Sequence, residues 1–224
     1  NDSWLHYEGG AASIVTVHNI AFQGNFAADH LAALGLPAAA WTFDGVEYHG
    51  LLSFLKAGLQ LATLISTVSQ TYAREIQDEH FGYGLAPLLR HRTSDLRGIL
   101  NGVDSAVWNP AADPALAARY AANRLASKRA NKHALQGEMG LAVCDDRPLF
   151  GVISRLTEQK GLDLVLTLGE GITLLPGQRV LLGSGDKVME AGFRELAARY
   201  PGQVAVRIGF DEALAHRIEA GADC

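Results

Sequence analysis

The sequence has little cysteine, no long hydrophobic run and no surplus of positive charge. Two cysteines among 224 residues, Cys144 and Cys224, are too few for a disulfide framework and favour a reducing compartment. No apolar run reaches the length of a transmembrane helix. The first ten residues, NDSWLHYEGG, lack the basic start and the apolar core of a signal peptide. These absences predict a cytoplasmic protein with no membrane partner.

The balance of charge is mildly acidic. The chain has 19 Lys and Arg residues against 24 Asp and Glu residues, a formal net charge of −5. Binding to a nucleic-acid backbone needs a surplus of positive charge, so we expect no nucleic-acid partner. A small anionic ligand needs only a local cluster of cations and stays possible on this composition. The hydrophobic fraction of 48% is typical of a globular chain with a sizeable core.

Patterns for a metal site or for nucleophilic catalysis are missing. Five histidines have no spacing typical of metal ligands and no cysteine partner: His49, His80, His91, His133 and His216. No G-x-S-x-G or Cys–His pattern occurs either. The sequence therefore predicts no metal.

Strands and helices alternate along most of the chain, which predicts an α/β fold with parallel sheets. Predicted strands lie at residues 13–19, 63–69, 98–100, 149–154, 179–184 and 203–209. Predicted helices lie at 51–62, 70–77, 85–92, 162–169, 187–200 and 211–221, with one or two more in 114–139. The turn-rich stretch 140–148 predicts a boundary between a first domain, 1–145, and a second, 146–224. Both ends resemble interruptions of an α/β unit, so we expect a fragment of a longer polypeptide.

Ligands of open parallel sheets bind beyond the carboxyl ends of the strands, and two cations lie at one such place. Arg155 directly follows strand 149–154, and Lys160 precedes the next helix. Together with the helix N-terminus they would suit a diphosphate. A surface ion pair with Glu158 is an alternative of about equal weight on position alone.

Two further strand ends of the second domain carry candidate ligand contacts. Gly183 and Gly185 lie in LLGSGD (181–186) and would allow a ligand to approach the backbone. An ordinary tight turn is the alternative, since Val188 replaces the third glycine of a dinucleotide fingerprint. Phe210 follows strand 203–209 and could stack on a nucleobase or cap the core.

The first domain offers two candidates, His18 at the end of strand 13–19 and Asn101 directly after strand 98–100. A lone histidine is more often a core residue than a catalyst, and NGVD (101–104) also suits an ordinary turn. Three cations within predicted helices are interpreted as solvent-exposed side chains on the flanks of those helices. These are Lys56, Arg74 and Arg90.

Several long motifs occur together in one order and give a specific resemblance. They are TVHNIAFQGNF, HGLLSFLKAGLQLATLISTVSQTYAREI, FGYGL, GILNGVDSAVWNP, SRLTEQKGLDLVL, LLGSGD and RIGFDEALAHRIEAGAD. In sequence and spacing the chain resembles bacterial glycogen synthases and plant starch synthases over nearly its whole length. The resemblance implies the GT-B architecture of two Rossmann-like domains. It also implies transfer of glucose from ADP-glucose to the non-reducing end of an α-1,4-glucan, with retention and without a metal or other cofactor.

The resemblance assigns roles to the candidates residue by residue. It implies that Arg155 and Lys160 hold the donor diphosphate, where fixed cations stabilise the charge that develops on departing ADP. It implies that His18 orients the transferred glucosyl unit and that Asn101 contacts the sugar. Phe210 stands where the family often has tyrosine, so stacking on adenine is expected without a hydroxyl contact.

Two parts of the family's active site have no counterpart in this sequence. The Lys-x-Gly-Gly loop would precede residue 1, and the paired glutamates of the donor domain would follow residue 224. We therefore predict that this chain alone does not turn over ADP-glucose. Two alternatives stay open, namely a related GT-B transferase or phosphorylase with another donor, and a non-catalytic module that binds glucan or nucleotide.

Overall fold

The computed structural model describes residues 11–168, 171 and 176–224. The chain divides into two compact units, Asn1–Gly102 and Val103–Cys224. The boundary predicted after residue 145 therefore falls inside the second unit. The physical reason is a core in which Leu135 and Leu141, which precede residue 145, pack with residues of the second sheet and its last helix.

Each unit of the described structure contains strands and helices in alternation. The strands are β1 Ile14–Val17, β2 Asn25–Phe26, β3 Glu47–Tyr48, β4 Leu51–Ser53, β5 Leu64–Thr67, β6 Leu96–Gly98, β7 Leu149–Ile153, β8 Gln178–Gly183 and β9 Val204–Ile208. The helices are α1 His30–Ala33, α2 Phe54–Leu61, α3 Gln70–Glu75, α4 Ala86–His91, α5 Lys128–Glu138, α6 Leu162–Leu168, α7 Lys187–Arg199 and α8 Glu212–Gly221.

The main sheet of the first unit is parallel, with the strand order β1-β5-β6. Val17, Ile65 and Leu89 are buried in its core. Residue pairing of Ile65 with Leu96 places β6 at 96–98, two residues earlier than predicted. All three strands run the same way, so their carboxyl ends meet at one edge of the sheet.

A small antiparallel sheet, in the order β2-β4-β3, was not predicted. Residues 51–53, predicted as the start of a helix, form its central strand. The side chain of Ser53 accepts a hydrogen bond from the backbone N–H of Lys56 at 3.3 Å and caps α2. The helix therefore begins at Phe54.

The sheet of the second unit is parallel, with the order β7-β8-β9. The other edge of β7 bonds to the last two residues. Asp223 N–H donates to the Leu149 carbonyl at 2.7 Å, and Gly151 N–H donates to the Cys224 carbonyl at 2.8 Å. This places β7 between β8 on one side and residues 223–224 on the other.

The region 114–139 forms less helix than its composition predicts. Only 128–138 is α-helical, and 114–124 is irregular. Two contacts hold the irregular part: the Asn131 side chain bonds to both the N–H and the C=O of Ala118, at 3.0 and 2.7 Å. Tertiary hydrogen bonds thus replace the helical ones and override the propensity of the alanines.

Candidate functional site

The carboxyl ends of β7, β8 and β9 open into a cavity of about 240 Å³ in the second unit. Its lining is formed by Ile153, Ser154, Arg155, Leu182, Gly183, Ser184, Gly209, Phe210, Asp211 and Ala215. Three of the predicted site residues are therefore brought together: Arg155, Gly183 and Phe210. The other two of the second unit, Lys160 and Gly185, do not line this cavity.

The backbone around Arg155 is anchored on both sides. Ser154 N–H donates to the Leu182 carbonyl at 3.1 Å, and Leu156 N–H donates to the Ser184 carbonyl at 3.0 Å. The Leu156 side chain is fully buried. Between these fixed neighbours the side chain of Arg155 is exposed at the cavity.

Close backbone contacts, which the sequence did not reveal, leave no room for a side chain at Gly183 or Gly185. A Cβ atom on Gly183 would lie 2.0 Å from the carbonyl oxygen of Ser154, and one on Gly185 would lie 2.4 Å from that of Leu156. Both glycines therefore allow residues 154–156 to approach the loop after β8. Contact between these glycines and a ligand stays a prediction.

Both candidate cations lack partners among the described residues. Lys160 ends the turn of residues 158–160, just before α6, and is exposed. Within residues 11–168, 171 and 176–224, neither Arg155 nor Lys160 forms an ion pair, and no bond joins either to Glu158. The alternative of a surface pair with Glu158 is thus not found, and both charges are open to a ligand.

Phe210 does not cap the core. Its ring is 90% exposed at the end of β9. The next residue, Asp211, caps α8 by accepting a hydrogen bond from Leu214 N–H at 2.8 Å. An exposed aromatic ring beside an exposed guanidinium group can stack on a planar ligand whose anionic part pairs with the cation.

In the first unit, His18 and Asn101 lie beyond the carboxyl ends of β1 and β6. Both are exposed, so His18 is not the satisfied core histidine of the alternative interpretation. One strand, β5, separates β1 from β6. A strand spacing of about 4.8 Å puts these two strand ends roughly 10 Å apart, a span suited to a sugar ring.

The prediction of a solvent-exposed side chain on the flank of a helix is wrong for Lys56, although Arg74 and Arg90 are exposed as predicted. Lys56 is 4% exposed, and its Nζ donates to the carbonyls of Gly45, at 2.8 Å, and Phe43. Burial lowers the pKa of Lys56. The helical period was the available signal, because Lys56 lies three residues before the buried Leu59 and so shares its face.

His216 is a structural residue. Its Nδ1 lies 2.5 Å from Oδ2 of Asp113, and its ring stacks on Trp108 with centroids 3.9 Å apart. Burial would raise the pKa of Asp113, but the bonds from Ala115 N–H and His216 outweigh it and the pKa is lowered. In the described part of the chain, no three His, Cys, Asp or Glu side chains lie close enough together to hold a metal ion.

Comparison with known proteins finds glycogen and starch synthases among the relatives of this chain. Residues 4–91 match the family model for the starch synthase catalytic domain. A glycogen synthase of Dechloromonas aromatica is 76% identical over 222 residues, which cover 99% of this chain and 46% of the relative. A glycogen synthase of Nitrosomonas eutropha is 52% identical over 224 residues, covering 99% and 45%. Over 99% of its length the chain is therefore similar to glycogen synthases. It spans about half the length of the curated relatives it matches.

A solved structure of this synthase family agrees with the fold. The catalytic domain of Starch Synthase IV from Arabidopsis thaliana, bound to ADP and acarbose, matches with a TM-score of 0.90 and 34% identity. The match covers 99% of this chain and 47% of the other. The predicted α/β fold of the GT-B type is thereby confirmed. No helix in the described residues is long and apolar enough to cross a membrane.

Proposed function

We propose that the protein to which this chain belongs transfers glucose from ADP-glucose to the non-reducing end of an α-1,4-glucan, with retention at the anomeric carbon. The observation that carries this proposal is the exposed guanidinium group of Arg155, which has no ion-pair partner among the described residues, beside Gly183 and Phe210 at three parallel strand ends. The naming of the relatives as glycogen synthases supports the reaction, and the ADP and acarbose of the plant structure support the two substrates.

The donor nucleotide would bind at the second unit. Phe210 offers a fully accessible ring to adenine, and Arg155 offers charge-assisted bonds to the diphosphate. Each such bond contributes about 1.5–3 kcal/mol. Lys160 lies outside the cavity lining but belongs to the same strand-to-helix connection, residues 154–161, so its flexible stem would bring a second cation to the departing phosphate.

These two cations would act on the step that breaks the donor. The bond between the anomeric carbon and the phosphate oxygen breaks, and its electron pair stays on ADP. The 4-hydroxyl oxygen of the acceptor bonds to the anomeric carbon, and its proton passes to the departing phosphate oxygen. Because the negative charge on ADP is larger in the transition state than in the bound donor, Arg155 and Lys160 lower the barrier as well as the dissociation constant.

The acceptor and the transferred sugar would contact the first unit. His18 and Asn101 lie beyond the carboxyl ends of two strands of one parallel sheet and are exposed, so their polar atoms are accessible to sugar hydroxyls. His18 would orient the glucosyl unit by hydrogen bonding, and Asn101 would contact the same sugar. A glucan or maltooligosaccharide is therefore the second partner.

The setting of the reaction is also part of the proposal. Two fixed cations would balance the diphosphate, so the transfer would need neither a metal nor another cofactor. Both cysteines, Cys144 and Cys224, are free thiols, which supports the cytoplasm as the compartment. We propose further that this chain is a fragment of the complete synthase.

Calorimetric titration with ADP tests the donor site. We expect Arg155→Ala to weaken ADP binding at least tenfold, since one charge-assisted bond of about 1.5–3 kcal/mol is lost. The matched control is Arg199→Ala, which removes an exposed cation that pairs with the exposed Glu195 on α7 and should leave the affinity within twofold. Equal affinities of wild type and Arg155→Ala for ADP contradict the proposal.

Transfer of radiolabelled glucose to maltooligosaccharide tests the reaction. The complete protein should incorporate label from ADP-glucose, and this chain alone should incorporate none. Incorporation from UDP-glucose only indicates a transferase with another donor. Binding of maltooligosaccharide without any transfer by the complete protein indicates a non-catalytic module.

A further inference from the structure

The loop of residues 184–186, which joins β8 to α7, forms backbone hydrogen bonds with the segment that carries Arg155. Leu156 N–H donates to the Ser184 carbonyl at 3.0 Å, and Asp186 N–H donates to the Leu156 carbonyl at 2.8 Å. Leu156 is therefore bonded through both its peptide groups to this loop. A shift of the loop moves Leu156, and Arg155 is the adjacent residue.

A buried carboxylate holds the middle of the same loop. Gly185 N–H donates to Oε1 of Glu190 at 3.1 Å, and Glu190 is 3% exposed. The ammonium group of Lys187 lies 3.0 Å from both oxygens, and Arg194 lies 3.8 Å away. These partners satisfy the carboxylate, and the bond from Gly185 lowers its pKa, followed by the bond from Lys187.

The start of α7 does not need Glu190 as a cap. Asp186 already caps the helix, since its side chain accepts from the N–H groups of Val188 and Met189 at 2.9 and 3.0 Å. A carboxylate that served only the helix dipole would do so equally well when exposed. Burying a charge costs free energy unless it is paired and hydrogen-bonded, so the burial of Glu190 indicates specific partners, and one of them is the Gly185 N–H of the loop.

We propose that Glu190 is a positioning residue for Arg155: by accepting the N–H of Gly185 it fixes the loop 184–186, which in turn fixes Leu156 and the approach of Arg155 to the cavity. This inference rests on the proposed function, in which Arg155 holds the donor diphosphate. Glu190 is not among the residues that line the cavity. Lys187 and Arg194 balance its charge, so it does not repel an anion bound nearby.

Three substitutions separate the bond from the charge and from the volume. Glu190→Met keeps the volume and removes the acceptor. Glu190→Asp keeps the charge and withdraws it by one methylene from Gly185. Glu190→Gln keeps an acceptor oxygen without the charge. Glu195→Ala is the control, since it removes an exposed carboxylate from the same helix.

Calorimetric titration with ADP, with the melting temperature measured in parallel, is the readout. We expect about tenfold weaker binding by Glu190→Met and Glu190→Asp, binding within threefold of wild type by Glu190→Gln, and no change by Glu195→Ala. We expect the double variant Arg155→Ala/Glu190→Met to bind no more weakly than Arg155→Ala alone, because Glu190 acts through Arg155.

Each outcome has one meaning. If wild type and Arg155→Ala bind ADP equally, the proposed function fails and the inference with it. If Arg155→Ala binds weakly while Glu190→Met and Glu190→Asp keep the wild-type affinity despite lower melting temperatures, Glu190 is merely structural and the inference alone is overturned. Additive losses in the double variant overturn it too. Should Glu190→Met fail to fold, Glu190→Asp decides.

Discussion

Replacement of Gly183 by alanine tests the packing that fixes the Arg155 segment. The new Cβ atom would lie 2.0 Å from the carbonyl oxygen of Ser154. Ordinary van der Waals contact begins at 3.4 Å, so the two atoms must separate by 3.4 − 2.0 = 1.4 Å. A backbone oxygen cannot turn aside as the end of a flexible side chain can. Either β8 or residues 154–156 must move.

The magnitude follows from what that movement breaks. Overpacking that forces backbone shifts costs about 1–3 kcal/mol, and loss of the bond from Ser154 N–H to Leu182 adds about 0.5–1.5 kcal/mol. Alanine also lowers the conformational entropy of the unfolded chain, which raises the free energy of unfolding by about 0.4–1 kcal/mol. These terms combine to about 0.5–4 kcal/mol, so we expect Gly183→Ala to lower the free energy of unfolding by a central value of about 2 kcal/mol.

The matched control is Gly137→Ala, in the same unit. Gly137 lies in α5, and a Cβ atom there meets nothing within 4 Å. Alanine should raise the free energy of unfolding by about 0.5–1 kcal/mol, because glycine is the poorer helix former. Urea denaturation followed by circular dichroism measures both variants. A loss below 0.5 kcal/mol for Gly183→Ala, at an unchanged m-value, refutes the argument from close approach.

Two further predictions concern charge. In the complete synthase, Arg155→Ala and Lys160→Ala should each lower kcat by roughly 10²–10³, by analogy with the loss of one preorganised donor; losses under fivefold in both, in a glucose-transfer assay, contradict the leaving-group role. The pKa of Glu190 is lowered from its ordinary 4.5, first by the Gly185 backbone bond and then by Lys187. Its stabilising contribution is therefore complete above about pH 4.5 and is lost as the pH falls through the lower folded value. Urea midpoints between pH 6 and 3 should fall less steeply for Glu190→Gln, and parallel curves disprove this linkage.

The strand ends were predictable from the sequence because a buried parallel strand has a strong local signal. Apolar, β-branched runs such as residues 13–19 and 203–209 have few alternatives, and the polar residue after each run is then set at the sheet edge. His18, Arg155 and Phe210 were located in this way. The structure adds that all three are exposed, which periodicity alone does not reveal.

Features set by long-range contacts were not predictable. β2 and β3 contain two residues each, too few for any period. The irregular course of 114–124 depends on Asn131, and its alanines favour helix on their own. Glu190 is one of several glutamates on a helix. Its position three residues before the buried Phe193 puts it on the buried face of α7. Its hydrogen-bond partner lies in a loop that the crossover from β8 brings to it, and no pattern within α7 reveals that partner.

The second unit pairs many of its cations and leaves those near the cavity open. Ion pairs join Lys132 to Asp223 and Lys187 to Glu190, at 2.8 and 3.0 Å, and Arg217 to Glu138 and Arg199 to Glu195, both at 2.7 Å. Within the described residues, Arg155 and Lys160 have no such carboxylate. An exposed ion pair contributes about 0–1 kcal/mol, so leaving these two cations unpaired costs the fold little. A diphosphate can therefore bind Arg155 and Lys160 without first displacing a carboxylate. This favours binding at this edge of the sheet over binding to cations of the second unit that already form ion pairs.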